Sequence, residues 1–215
     1  LPFYRVCGRV WNEFIQDQSI GKETSMKRFP LVLFMMTLVL TSALRAGEDL
    51  KKVSDFTLED YNGVKHSLTD FKSSKVIVLM FIATQCPVSN AYDDRMVALQ
   101  KDYASKGVTF LGINAKKQEG VEEVKNHAKQ HGFEFTVLKD WNNVVADKLG
   151  ASVTPEIYVL NSSFEILYHG RIDDSQRENR VSSKDLRNAL DLALSGKPVL
   201  LRETKAFGCT IKRVQ

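Results

Sequence analysis

The sequence predicts one α/β domain with a mixed central sheet. Three observations predict it. From residue 47 onward, strand-like runs alternate with helix-period segments. One run, 75–83 (KVIVLMFIA), is apolar, β-branched and aromatic throughout, as a strand buried on both faces must be. The alternation then closes with an antiparallel hairpin and a last helix.

The elements follow in order. Residues 53–58 are extended, Tyr61-Asn62-Gly63 is a turn, and 64–68 alternate, which together predict an N-terminal β-hairpin. After the central strand, 87–103 has helical spacing, with Tyr92, Met96, Leu99 and Tyr103 on one face. Residues 108–114 (VTFLGIN) are the next strand, and 121–131 a helix with a charged outer side, stopped by Gly132. Residues 135–138 are short and extended, and 142–149 form a short helix ended by Gly150. A hairpin of 156–160 and 165–169 turns at Asn161-Ser162-Ser163. The last helix is 183–194, before Ser195-Gly196, and 197–215 is a C-terminal extension carrying Pro198 and Cys209. Neither an internal repeat nor a low-complexity linker interrupts the pattern.

The first 46 residues are not read as part of this fold. Met26-Lys27-Arg28 precedes an uncharged stretch whose strongly apolar part, 31–40, is ten residues long. A membrane-spanning helix needs about 20 apolar residues. Small residues follow, with Ala43 and Ala46 as cleavage positions. Residues 26–46 therefore have the layout of a secretory signal peptide, and 1–25 are read as a misassigned upstream extension. The expected location is periplasmic or otherwise extracytoplasmic, with a membrane attachment only if the signal is retained. Removal of 46 of the 215 residues leaves 169, the size of a single domain. The removed part holds six Lys/Arg and three acidic residues, so the net charge falls from +4 to +1. Such a balance gives no basic stripe for nucleic acid. Cys7 leaves as well, and three cysteines become two, Cys86 and Cys209.

Cys86 stands just past the buried strand and just before a helix, in Thr84-Gln85-Cys86-Pro87-Val88-Ser89-Asn90. Helix N-terminal N–H groups stabilise a thiolate there, so a lowered thiol pKa is expected. Pro87 suits the first helical turn, because its missing N–H would have no partner there anyway. The bland alternative is an inert cysteine packed as a small hydrophobe. A second element, Val153-Thr154-Pro155-Glu156, opens a strand with a proline.

Cys-Pro-Val-Ser after a buried strand, with Thr-Pro about 70 residues later, resembles the thioredoxin superfamily. Asp55-Phe56-Thr57-Leu58, the Asn62-Gly63 hairpin and Leu68-Thr69-Asp70-Phe71 resemble its redoxin branch, which holds alkyl hydroperoxide reductases and thiol-specific antioxidants. The resemblance covers residues 51–194. It implies a three-layer fold, a cis Pro155 beside Cys86, and a peptide-binding face shaped by Thr154, Pro155 and Pro87.

Departures from the pattern are informative. Thioredoxins carry Cys-x-x-Cys, and Ser89 takes the second position here, where its hydrogen bond would favour a Cys86 thiolate. The buried carboxylate of the thioredoxin proton relay is replaced by Met80, and the tryptophan before the cysteine by Gln85. The peroxiredoxin pattern Pro-x-x-x-Thr-x-x-Cys falls on Leu79 and Ala83, or in the other register on Ile82 and Cys86. Neither supplies the proline and threonine. The chain is most similar to secreted peroxiredoxin-like proteins that keep the first cysteine only.

Cys209 lies in Phe207-Gly208-Cys209-Thr210-Ile211-Lys212. If the extension folds back, Gly208 permits close approach, and Lys212 and Arg213 favour a thiolate. A redox-active pair with Cys86, a static disulfide and a free cysteine on a loose tail all stay open. By analogy of fold, Arg171 is expected near Cys86, oriented by Asp173 or Asp174. No metal is expected: His66, His127, His131 and His169 form no ligand-spaced motif, and His127 and His131, four apart on a charged helix, are read as solvated.

The expected function is an exported thiol–disulfide oxidoreductase without a cofactor. A Cys86 mixed disulfide would be resolved by Cys209 or an external thiol. The expected partners are protein thiols or disulfides and a reducing thioredoxin-like protein. A thiol peroxidase acting on peroxide and a non-catalytic binding or redox-sensing module are the alternatives.

Overall fold

A computed structural model describes residues 51–214. The signal peptide and upstream extension expected in 1–46 lie outside the described residues.

The framework is β3 (Val76–Ile82), whose seven residues are all buried. It pairs in parallel with β4 (Val108–Asn114) and antiparallel with β7 (Glu156–Asn161). Side chains alternate along a strand, so Val76, Val78, Met80 and Ile82 enter one apolar layer. Ile77, Leu79 and Phe81 enter the other. Each large side chain buried this way contributes roughly 1.5–3 kcal/mol. The first layer is closed by α2 (Asp93–Tyr103) through Met96 and Leu99, α3 (Val121–Gln130) through Val124, and α5 (Asp185–Leu194) through Leu186 and Leu190. The second is closed by α4 (Val144–Leu149) through Val145 and Leu149, with Phe56 and Leu68. This is the three-layer arrangement expected.

β1 (Thr57–Asp60) and β2 (Lys65–Ser67) form the predicted hairpin, and β1 continues the sheet by pairing with β5 (Thr136–Lys139). With β8 (Ile166–Gly170), the seven-stranded order is β2-β1-β5-β4-β3-β7-β8. Among the described residues no helix is long and apolar enough to cross a membrane.

One helix departs from the sequence reading. The helix expected over 87–103 is two helices, α1 (Pro87–Asn90) and α2. The Tyr92 N–H bonds back three residues to Ser89 at 2.9 Å, which tightens the turn, while Arg95 Nη2 occupies the Ala91 carbonyl at 3.1 Å. The four-residue ladder resumes with Met96 N–H on the Tyr92 carbonyl. The predicted buried face (Tyr92, Met96, Leu99, Tyr103) survives the break.

The extension folds back onto the domain, one of the outcomes the sequence left open, and is no loose tail. It first runs beside β8, where the His169 N–H donates to the Arg202 carbonyl at 2.9 Å and the Thr204 N–H donates to the His169 carbonyl at 3.0 Å. Gly170 permits this approach, since a Cβ there would lie 2.5 Å from the Thr204 carbonyl oxygen. The tail then crosses to β6 (Val153–Thr154) and pairs with it as β9 (Cys209–Thr210). Ile211 is buried in the second apolar layer.

Candidate active site

The pairing of β3 with β7 sets Phe81 opposite Glu156. The chain leaving β3 and the chain entering β7 therefore meet just beyond the sheet edge. Cys86 lies on the first path and Thr154-Pro155 on the second. Cys86 is the N-cap residue of α1, extended at φ −96° and ψ 110°, with Pro87 at the first helical position. The Ser89 N–H donates to Cys86 Sγ at 3.2 Å. On the other side, Sγ lies 3.2 Å from the Thr154 carbonyl oxygen, and the Thr154–Pro155 bond is cis.

Cys86 and Cys209 form a disulfide with Cα atoms 5.9 Å apart, across 123 residues of sequence. β9 delivers Cys209, which stands opposite Thr154 in the strand register. Gly208 is what allows the strand so close: a Cβ there would lie 1.9 Å from the Thr154 carbonyl oxygen. Gln85, Cys86, Lys116, Gln118, Glu119, Cys209 and Lys212 line a pocket of about 240 Å³ around the pair. Burial and the Lys212 charge hold the Lys116 amine below the usual lysine range, against the pull of Glu119. Two cationic side chains thus line the pocket around the cysteines, Lys116 through a bond to the Thr210 carbonyl, and a cation nearby favours a thiolate over a thiol.

Two buried carboxylates complete the site, and neither was visible as a motif. Glu119, in a polar loop after β4, accepts the Thr84 and Gln85 N–H groups at 2.8 and 3.0 Å. Those two residues lead directly into Cys86. Glu119 thus brings a buried carboxylate to the loop before the cysteine. Asn114 links Glu119 to Lys139, whose Nζ reaches Asn114 Oδ1 and the Lys116 carbonyl, each at 2.5 Å. Burial pushes the Lys139 amine down to about 8, although Glu119, Glu123 and Asp140 favour its charge. The Thr84 hydroxyl, at 2.5 Å, holds the Glu123 carboxyl below the usual range.

The second carboxylate is Glu156, directly after Pro155. Its Oε2 accepts the Ser152 and Val153 N–H groups at 2.7 and 3.0 Å, and its Oε1 lies 2.6 Å from His169 Nε2. Burial raises this carboxyl, but His169 and the two N–H donors outweigh it and hold the group below the usual value. Glu156 therefore fixes the turn that presents Thr154 and Pro155.

Several expected placements are corrected. Arg171 is turned to Asp185, with Nε 2.6 Å from Oδ2 of this buried carboxylate on α5. Asp173 pairs with Arg95 at 2.6 Å and Asp174 binds Ser182, so Asp174 acts on Arg171 through its charge while Asp185 holds the guanidinium. The Ser89 hydroxyl accepts the Ala83 N–H at 3.3 Å, and it is the Ser89 backbone that meets the sulfur. Arg213 binds Asp147 at 2.6 Å, which leaves Lys212 at the pocket. Pro155 is buried, and only Pro87 of the expected peptide-binding trio is exposed, because β9 lies against Thr154. His127 and His131 are not solvated: both lie against Asp93, with side chains 13% and 30% exposed.

Gly208→Ala is expected to lift β9 from Thr154 and slow closure of the Cys86–Cys209 bond by about 10- to 100-fold, read by timed thiol trapping of the reduced protein. Unchanged closure would mean that the strand contact does not position Cys209. Glu156→Gln is expected to cost about 1–3 kcal/mol at pH 7 by denaturant titration. The folded Glu156 carboxyl titrates below its unfolded value of 4.5, so its contribution is present above that pH and is lost as pH falls through the lowered folded value. The gap between parent and variant should shrink in acid, and a gap independent of pH would count against an ionised Glu156.

A family model described as the AhpC/TSA family matches residues 50–175. The thiol-disulfide oxidoreductase ResA of Bacillus subtilis (strain 168) is 30% identical over 130 residues, covering 59% of this chain and 71% of that protein. The thioredoxin-like protein YneN of the same organism is 31% identical over 143 residues, covering 66% and 78%. A solved structure of a hypothetical protein from Sinorhizobium meliloti 1021 superposes with a TM-score of 0.72 at 31% identity, covering 77% of this chain and 94% of that one. With a thioredoxin-like sheet, Cys86 at the head of a helix and Pro155 beside it, the chain belongs to the AhpC/TSA family.

Proposed function

We propose that this chain is an exported thiol–disulfide oxidoreductase in which Cys86 and Cys209 exchange disulfides with protein substrates. The observation that carries the reading is the Cys86–Cys209 bond itself, seated on Thr154-Pro155 and flanked by Lys116 and Lys212. The relative named thiol-disulfide oxidoreductase ResA supports oxidoreductase chemistry.

In the reducing direction the Cys86 thiolate attacks one sulfur of a substrate disulfide and expels the other as a thiolate. This leaves a Cys86–substrate mixed disulfide. The Cys209 thiolate then attacks Cys86 Sγ, expels the second substrate thiolate, and restores the Cys86–Cys209 bond. Two electrons pass from the protein dithiol to the substrate disulfide, and the same steps reversed oxidise a substrate dithiol. The Ser89 N–H and the lysine charges stabilise the Cys86 thiolate whenever it leaves. An external thiol or a thioredoxin-like partner returns the reduced form.

Cys86→Ala is expected to abolish reduction of a model disulfide substrate. Cys209→Ala should accumulate a substrate-linked species on Cys86, seen on non-reducing gels. Full turnover with no captured species in Cys209→Ala would remove its resolving role, and rapid peroxide consumption would favour peroxidase chemistry instead. For export, N-terminal sequencing of the mature protein should begin near Gly47. Retention of Trp11 would sink the processing scheme.

A further inference from the structure

Away from the cysteines, the start of α2 meets the end of α3. Asp93, the first residue of α2, is 2% exposed. Its Oδ2 lies 3.1 Å from His127 Nε2 and 3.3 Å from His131 Nδ1. The two histidines are one helical turn apart, and their rings stack with centroids 4.3 Å apart. The three ligand atoms all lie within 4.8 Å of one another.

The contacts with Asp93 lack the direction of hydrogen bonds. Oδ2 is a buried carboxylate oxygen with no hydrogen-bond partner among the described residues. Such an oxygen is costly unless something positive satisfies it. Charges on both of two stacked rings would repel each other, whereas two neutral imidazoles on one metal ion do not. The two spacings from Asp93 Oδ2, 3.1 and 3.3 Å, fit that alternative. A tetrahedral ion with bonds of about 2.0–2.1 Å sets neighbouring ligand atoms about 3.3 Å apart.

We propose that Asp93, His127 and His131 form a site for a divalent first-row transition ion, Zn²⁺ foremost. Two imidazole nitrogens and one carboxylate oxygen are a Zn²⁺ ligand set, and the remaining position faces solvent beside the partly exposed His131. Phe133 packs its ring against His127 at 5.7 Å and is itself stacked on Phe135 at 4.6 Å, which holds the imidazole in place. The bound ion ties the end of α3 to the start of α2. It therefore braces the helix that follows the Cys86 turn, without contributing to the sulfur chemistry.

The test titrates Zn²⁺ into the oxidised full chain by calorimetry, where Cys86 and Cys209 are locked as a disulfide and do not ligate. The expected result is one ion per chain with Kd below about 10 μM. His127→Ala and Asp93→Asn should each weaken binding at least about tenfold. His131→Ala, at a more exposed position, keeps the test valid if a buried variant fails to fold by circular dichroism. Co²⁺ should give ligand-field bands without thiolate charge transfer. Absence of stoichiometric binding, or binding that survives the His127→Ala/His131→Ala double variant, overturns the site.

Discussion

Burial of β3 on both faces is the constraint from which the site follows. A strand with seven apolar residues has no solvent face, so layers of helix must cover it on each side. Its neighbours are then fixed by backbone hydrogen bonding, parallel to β4 and antiparallel to β7. Antiparallel pairing places the end of one strand beside the start of the other. That register alone brings the residues after Ile82 and those before Glu156 to one end of the sheet. Cys86, Thr154 and Pro155 are neighbours because the core leaves their flanking strands no other arrangement.

The polar groups around the cysteine have a different origin. Loops beyond the sheet edge leave backbone N–H groups without strand partners, and a buried N–H must be satisfied. Glu119 takes the pair before Cys86, and Glu156 takes the pair before Thr154. Each carboxylate is in turn compensated, by the Asn114–Lys139 link in one case and by His169 in the other. The two segments that meet at the sulfur are thus each pinned by one buried acid. Burial pushes the amine of the lysine behind Glu119 down to about 8, so it still carries its charge at neutral pH.

Much of the frame was legible in the sequence because it is written in local periodicity. β4 falls on its expected residues, and the breaks at Gly132 and Gly150 both carry positive φ. The position of Cys86 was legible because the buried strand before it and the proline-started helix after it are both written locally. Long-range pairings were not. β6 and β9 are two residues each, too short for any alternation to show, and their partnership spans more than fifty positions. The pairing of Arg171 with Asp185 was not legible, because Asp185 sits on a helix whose packing angle no local pattern encodes. Glu119 looked like an ordinary loop acid, since only the fold brings it under Thr84 and Gln85. Asp93 was hidden in the same way, one residue beyond the break between α1 and α2 that the helical spacing had bridged.

The two glycines that let the tail approach, Gly170 and Gly208, lead to a kinetic point. Cys209 is held by more than its sulfur. The tail is bonded to β8 through Thr204, paired with β6 as β9, and anchored by buried Ile211. These contacts do not involve the disulfide, so breaking the S–S bond leaves the second thiol in place. Reclosure is then a reaction between neighbours, governed by an effective local concentration rather than by diffusion. A solution thiol must compete against that concentration to keep Cys86 open. On the proposed function, a substrate strand pairing with Thr154 would have to displace β9, which already occupies that edge. One short tail therefore sets both the tendency to return to the closed state and the threshold for leaving it.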